Sequence, residues 1–410
     1  MSETHLTALT AELVNSQDQL IAMYELSQAM REKLNIIDAV DELAHLAART
    51  MKAEAAAVIL IIADRPTIIS QYPEKSIQHN LLEDWLQKIQ SSQYYILQNQ
   101  TPDLNSLLAL PVHLNGQISG ALAIVNKVGG PMGSPDRKLG QAIANQAGAH
   151  LENVLFVERS VSEARLQTEL QLARDVQVQL LPQYPPEVTG LDITAFSKPA
   201  LHVGGDSYDF ITQDSSQLHF CLGDVSGKGM SAALLMTMVR TTIRSAWRFN
   251  HHISPARVID RTNTSLYDDF TETGMFATLF VADYNCDDST LHYANAGHSP
   301  VIYRPKGGRA RLLEADGVPV GVLTDSLVED HSLLFEAGDL LVVCTDGLNE
   351  ARNHAGDLFG HEKLLNLVDN LSDHTSEVIT EKLMAAVSEF SADQPQADDQ
   401  TLVVIRAVSK

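Results

Sequence analysis

The most constraining feature of this chain is a long helical pattern stopped by prolines. Ser134 and Pro135 are the residue types that open a helix, and Leu139, Ile143, Ala147, Leu151 and Val154 then recur at helical spacing. Beyond Glu158 the spacing continues through Leu166, Leu170, Ala173, Val176 and Leu180, until Pro182, Pro185 and Pro186 end it. A helix of that length cannot sit inside one small domain. It predicts a folded body on either side, and 410 residues at 44% hydrophobic and 20% charged are enough for two cores.

Upstream, Leu6, Leu9, Leu13, Ser16, Leu20, Met23, Ser27 and Met30 alternate three and four apart, a spacing that fits a lone amphipathic helix as well as a coiled-coil lead-in. A helix follows around Asp38–Met51, with Val40, Leu43, Ala44 and Ala47 on one face, and then the β-rich run Ala57 to Ile62. Leu108–Leu114 and Ile118–Val125 flank Asn115-Gly116, which predicts a two-residue hairpin. This order resembles a GAF sensor domain over Tyr24–Phe156, which implies an antiparallel sheet with flanking helices and an unknown small ligand or partner. The expected domains are an N-terminal helix at 1–23, a GAF-like domain at 24–157, a helical linker at 158–185 and a second domain at 186–410. All three cysteines, Cys221, Cys286 and Cys344, lie in the second domain, so a thioether-bound bilin or a cysteine-ligated cluster is excluded from the first.

A net charge of −23 argues against a nucleic-acid partner, which needs a basic face. No apolar run reaches the length of a membrane span, and Met1-Ser2-Glu3-Thr4 does not open a signal peptide, so the expectation is a cytoplasmic protein off the membrane.

Chemistry is concentrated after the prolines. Four segments deliver an aspartate at or beside the end of an apolar strand: Val203 to Phe210 with Asp206 and Asp209, Leu218 to Gly229 with Asp224, Leu340 to Gly347 with Asp346, and Ala397 to Thr401 with Asp398 and Asp399. Hard divalent ions prefer carboxylate, carbonyl and water oxygens, and strand ends are rigid places from which to converge carboxylates. One Asp-Gly alone reads as an ordinary turn; four such segments in one domain point to a metal site.

These motifs carry a dense resemblance to the bacterial metal-dependent protein phosphatases of the sporulation-protein-E and sigma-regulator group, relatives of the type 2C (PPM) phosphatases. It spans Glu169 to Arg406 and includes Gly204-Gly205-Asp206-Ser207-Tyr208-Asp209-Phe210, Gly223-Asp224-Val225-Ser226-Gly227-Lys228-Gly229, Ala296-Gly297-His298, Thr345-Asp346-Gly347 and Asp398-Asp399-Gln400-Thr401. The resemblance implies an α+β chain whose second domain is a four-layer αββα sandwich, two Mn²⁺ or Mg²⁺ ions, and hydrolysis of phosphoserine or phosphothreonine on a signalling protein such as an anti-sigma-factor antagonist. Carried over by motif, Asp206, Asp224, Asp346 and Asp398 would be catalytic metal ligands, with the Val225 carbonyl adding an oxygen. Asp209 and Asp399 would stand behind them, and Lys198 would grip the substrate phosphate where type 2C relatives have arginine. Ser226 replaces a candidate general-acid histidine, and His298 reads as a structural histidine. The seam from Leu166 to Leu180 suggests a homodimer.

Two rivals are weighed. Gly204-Gly205-Asp206 begins like a GGDEF motif, but Ser207-Tyr208 replaces the required Glu-Phe. A catalytically weak phosphoprotein-binding module is the alternative, against which all four metal positions remain Asp.

Overall fold

The computed structural model describes residues 17, 20–21, 23–31, 33–62, 67–90, 94–98, 104–212, 214–392 and 394–410. The chain divides into two compact units, Met1–Leu166 and Gln167–Lys410. Leu6, Leu9, Leu13 and Ser16 of the N-terminal seam lie outside the described residues.

The first unit is built on one antiparallel sheet. After helical residues 23–31 come α1 (Ile36–Thr50), β1 (Ala53–Leu60), β2 (Ile68–Tyr72), α2 (His79–Gln90), β3 (Tyr95–Gln98), β4 (Ser106–Leu114) and β5 (Gln117–Lys127), with strand order β2-β1-β5-β4-β3. The sheet is buried on both faces. Ala56, Val58 and Leu60 of β1 pack with α1, whereas Ala55, Ala57 and Ile59 pack with Leu82, Trp85 and Ile89 of α2. Burial on both faces is why these strands read as continuous apolar runs rather than alternating ones. Asn115 and Gly116 both adopt positive φ, 51° and 76°, which the two-residue turn between β4 and β5 requires.

One helix of 47 residues, α3 (Ser134–Leu180), then begins at the Ser134-Pro135 signal and ends before Pro182. Its first half buries Ile143, Ala147, Leu151 and Val154 in the core of the first unit. Farther along, Leu166 and Val176 are 54% and 60% exposed, and Leu170, Ala173 and Leu180 are half-buried.

The second unit pairs two five-stranded antiparallel sheets. One has the order β13-β10-β9-β8-β7, from β7 (Asp206–Ile211), β8 (Gln217–Val225), β9 (Ala277–Asn285), β10 (Thr290–Ala296) and β13 (His331–Leu334). The other has the order β12-β11-β14-β15-β6, from β6 (Leu191–Lys198), β11 (Val301–Arg304), β12 (Arg311–Leu312), β14 (Leu340–Cys344) and β15 (Gln400–Ala407). Phe220, Leu222 and Phe280 meet Leu341, Val343 and Val403 between the sheets. Helices α4 (Met230–Phe249) and α5 (Pro255–Thr273) cover the outside of the first sheet. The second is covered by the short α6 (Asp346–Asn349), α7 (Gly360–Leu371) and α8 (Ser376–Ser391). This is the αββα sandwich expected. No helix among the described residues is long and apolar enough to cross a membrane.

Candidate active site

Strand geometry brings the acidic motifs together. Asp206 opens β7 and Asp224 lies near the end of β8, directly opposite it in the antiparallel register. Tyr208, Phe210, Leu222 and Phe220 continue the inward faces of these strands into the inter-sheet core, so the two aspartates sit at its edge. From the other sheet, β14 delivers Thr345 and Asp346, and the start of β15 delivers Asp398 and Asp399. The Thr345 hydroxyl donates to Asp206 Oδ2 at 2.8 Å, a direct bond between the sheets.

Asp399 braces the turn before Asp206. Its Oδ1 accepts from the Ala200 N–H and its Oδ2 from the Gly205 N–H, both at 2.7 Å. Gly205 leaves no room for a side chain, since a Cβ there would come within 2.5 Å of the Val225 carbonyl oxygen. Gln177, near the end of α3, makes a reciprocal pair with Gly204: its Nε2 donates to the Gly204 carbonyl at 2.7 Å and its Oε1 accepts from the Gly204 N–H at 3.1 Å. The Tyr208 hydroxyl adds a 3.0 Å bond to the Pro182 carbonyl. The turn entering Asp206 is thus clamped between Asp399 and the helix end, around a cavity of about 220 Å³ lined by Gln177, Leu181, Phe196, Gly204, Asp206 and Tyr208.

The electrostatics call for cations. Burial, then repulsion from Asp224 and Asp399, raises Asp206 well above the usual carboxylate range. Burial and Asp346 push Asp224 up to about 7, and burial with Asp398 pushes Asp346 up to about 6. Desolvation also raises Asp399. Carboxylates gathered this way favour either a proton or a metal ion. Among the described residues no three carboxyl, thiol or imidazole groups close into a cage around a point. The donors gathered here are carboxylate oxygens, the chemistry that hard divalent ions such as Mg²⁺ and Mn²⁺ prefer.

Asp209 is a correction. Strand alternation turns it to the other face of β7 from Asp206, toward α4, where it is fully buried. Arg244 Nη1 donates to both of its oxygens at 2.7 and 2.6 Å, and Arg240 Nε lies 3.2 Å away. Asp209 therefore ties α4 to the strand rather than standing behind a metal. His298 is 1% exposed, bonded through Nδ1 to Thr278 Oγ1 at 2.9 Å, and burial lowers it to about 4, so it is a neutral structural group. Lys198 is exposed at the end of β6. A cation in contact with the acidic cluster is Lys228, 2.9 Å from Asp398 Oδ2. Sequence reasoning missed Gln177, Thr345 and Lys228 as parts of the site. Thr345 and Lys228 lie inside the quoted motifs, but their partners are distant in sequence.

Two facing antiparallel sheets with helices outside, and carboxylates gathered at one end of the sandwich, are the architecture of PP2C-type phosphatase domains. The SiaA-PP2C domain of Pseudomonas aeruginosa shares this fold at 20% identity, with a TM-score of 0.54 over 60% of this chain and 98% of that one. The Stage II sporulation protein E (SpoIIE) family profile matches residues 214–408. Phosphoserine phosphatase RsbU of Bacillus subtilis (strain 168) is 31% identical over 245 residues, 60% of this chain and 71% of that protein. Phosphoserine phosphatase RsbP of the same organism is 24% identical, covering 58% of this chain and 57% of that protein. The chain belongs to the SpoIIE family of PP2C-type protein serine/threonine phosphatases.

Proposed function

We propose that the second unit hydrolyses phosphoserine or phosphothreonine on a signalling protein, with two Mn²⁺ or Mg²⁺ ions, under the control of the first unit. The observation that carries this reading is the cross-strand pair Asp206 and Asp224 gathered with Asp346 from the other sheet, each raised above its ordinary range by burial and then by neighbouring carboxylates. Asp206, Asp224, Asp346, Asp398 and the Val225 carbonyl are the proposed ligand set. Ions bound there would acidify a water and neutralise phosphoryl charge. The chain's own residues orient the site: Thr345 fixes the Asp206 carboxylate, and Asp399 with Gln177 sets the turn that presents it. His298 is buried and neutral, so it is not the leaving-group acid.

By likeness to the named phosphoserine phosphatases, the substrate is a small phosphoprotein, with an anti-sigma-factor antagonist as the first to test. Lys198 is the candidate contact for its phosphate; Lys198→Ala should raise KM and leave kcat nearly unchanged. The first unit, an antiparallel sheet covered by helices on both faces, is proposed as a GAF-like sensor for a small ligand or partner, and the whole protein as a cytoplasmic homodimer. The deciding experiment is hydrolysis of a phosphoserine peptide with Mn²⁺, with Mg²⁺ and with chelator. Activity should need the ion and vanish in Asp224→Asn and Asp346→Asn; full turnover in chelator would overturn the metal reading.

A further inference from the structure

We propose that Lys228 is a tethered cation that competes with a divalent ion for the Asp398 carboxylate, and so sets how tightly the ion that Asp398 would hold is bound. This rests on the two-ion reading above. The contact is specific: Lys228 Nζ lies 2.9 Å from Asp398 Oδ2 and also donates to the Ala397 carbonyl, while Asp398 Oδ1 accepts the Asp399 N–H at 2.9 Å. Both oxygens of Asp398 are therefore engaged by groups of this chain.

The loop places Lys228 beside Asp398. Gly227 and Gly229, on either side of Lys228, have φ of 91° and 77°, which folds the backbone sharply at that point. The loop's start is pinned by a reciprocal pair at 2.8 Å, Ser226 N–H to the Phe276 carbonyl and Phe276 N–H to Ser226 Oγ. Its end is fixed where α4 begins at Met230.

The pair is displaceable. Lys228 and Asp398 are 46% and 42% exposed, so solvent screens their attraction. A divalent ion taking the same oxygen would lie within a few ångströms of the ammonium and be repelled by it unless the side chain swings away. Lys228 thus weakens one of the two ion sites by occupying its carboxylate and by charge repulsion.

The test is Mn²⁺ uptake without turnover. The full chain, stripped of metal, is titrated with MnCl₂ by calorimetry, as wild type, Lys228→Met and Lys228→Arg. We expect Lys228→Met to tighten the weaker of the two binding steps about tenfold, with the gain shrinking at high salt, and Lys228→Arg to stay near wild type. Melting in chelator checks that each variant is folded, and Lys228→Gln replaces the Met variant if that one melts early. Equal or weaker Mn²⁺ binding by the neutral variant would overturn the proposal. Were the wild type to take up no Mn²⁺, the two-ion reading itself would fall with it; normal uptake with no effect of Lys228→Met removes only the role of Lys228.

Discussion

At the scale of single residues, the acidic cluster sets function against stability. Asp224 and Asp346 have folded-state values raised to about 7 and about 6 from an ordinary 3.8. A raised carboxylate keeps its proton in the folded state, so without metal each group destabilises the fold increasingly as pH rises from about 4 through those values. Asp224→Asn should therefore melt later than wild type in chelator at pH 8, by on the order of 1–2 kcal/mol, with the difference fading near pH 5. A variant less stable than wild type at pH 8 would show that Asp224 is not electrostatically strained. The same protons must leave when metal enters, so Mn²⁺ affinity should climb between pH 6 and pH 8, with proton release visible in buffers of different ionisation enthalpy.

At the scale of elements, two side chains decide how helices meet the strand that starts with Asp206. Gln177 joins the end of α3 to Gly204 through both backbone groups. Gln177→Leu would leave that N–H and carbonyl without their partner and loosen the turn, which should cost about 1–3 kcal/mol of stability, and the expected loss in Mn²⁺ affinity, read by titration of the folded variant, is about tenfold. Asp209 does a different task, joining α4 to the far face of the same strand. Asp209→Asn leaves Arg240 and Arg244 without their carboxylate and should cost about 2–3 kcal/mol by denaturant melt while Mn²⁺ affinity in the folded protein stays within about twofold. A large change in metal affinity with unchanged stability would return Asp209 to the metal site. The motif placed Asp206 and Asp209 in one phrase, and strand alternation sends them to opposite faces, a distinction legible only once the strand and its register are known.

At the scale of the whole molecule, the proposed homodimer depends on α3. Leu166 and Val176 are 54% and 60% exposed in the single chain, an apolar seam that a second copy of the helix would cover. Leu166→Glu with Leu170→Glu should give a monomer by light scattering at micromolar concentration, with activity no longer responsive to the first unit; a wild type already monomeric there would rule the dimer out. The helix, its Ser134-Pro135 start and its proline stop, and the Asn115-Gly116 turn were legible in the sequence, because each depends on local chemistry: caps, ring constraints, positive φ and hydrophobic period, whereas the sandwich class came only from the family resemblance of the motifs. The strand-end aspartates were legible as a group for the same reason, since each lies beside its own apolar run. Tertiary structure alone decided which carboxylates meet. The bond from Thr345 to Asp206 and the pairing of Gln177 with Gly204 and of Lys228 with Asp398 join residues 139, 27 and 170 positions apart, so no local pattern records them. Burial, which raises Asp224 and Asp346 and lowers His298, is likewise a property of the packed sheets and not of any segment.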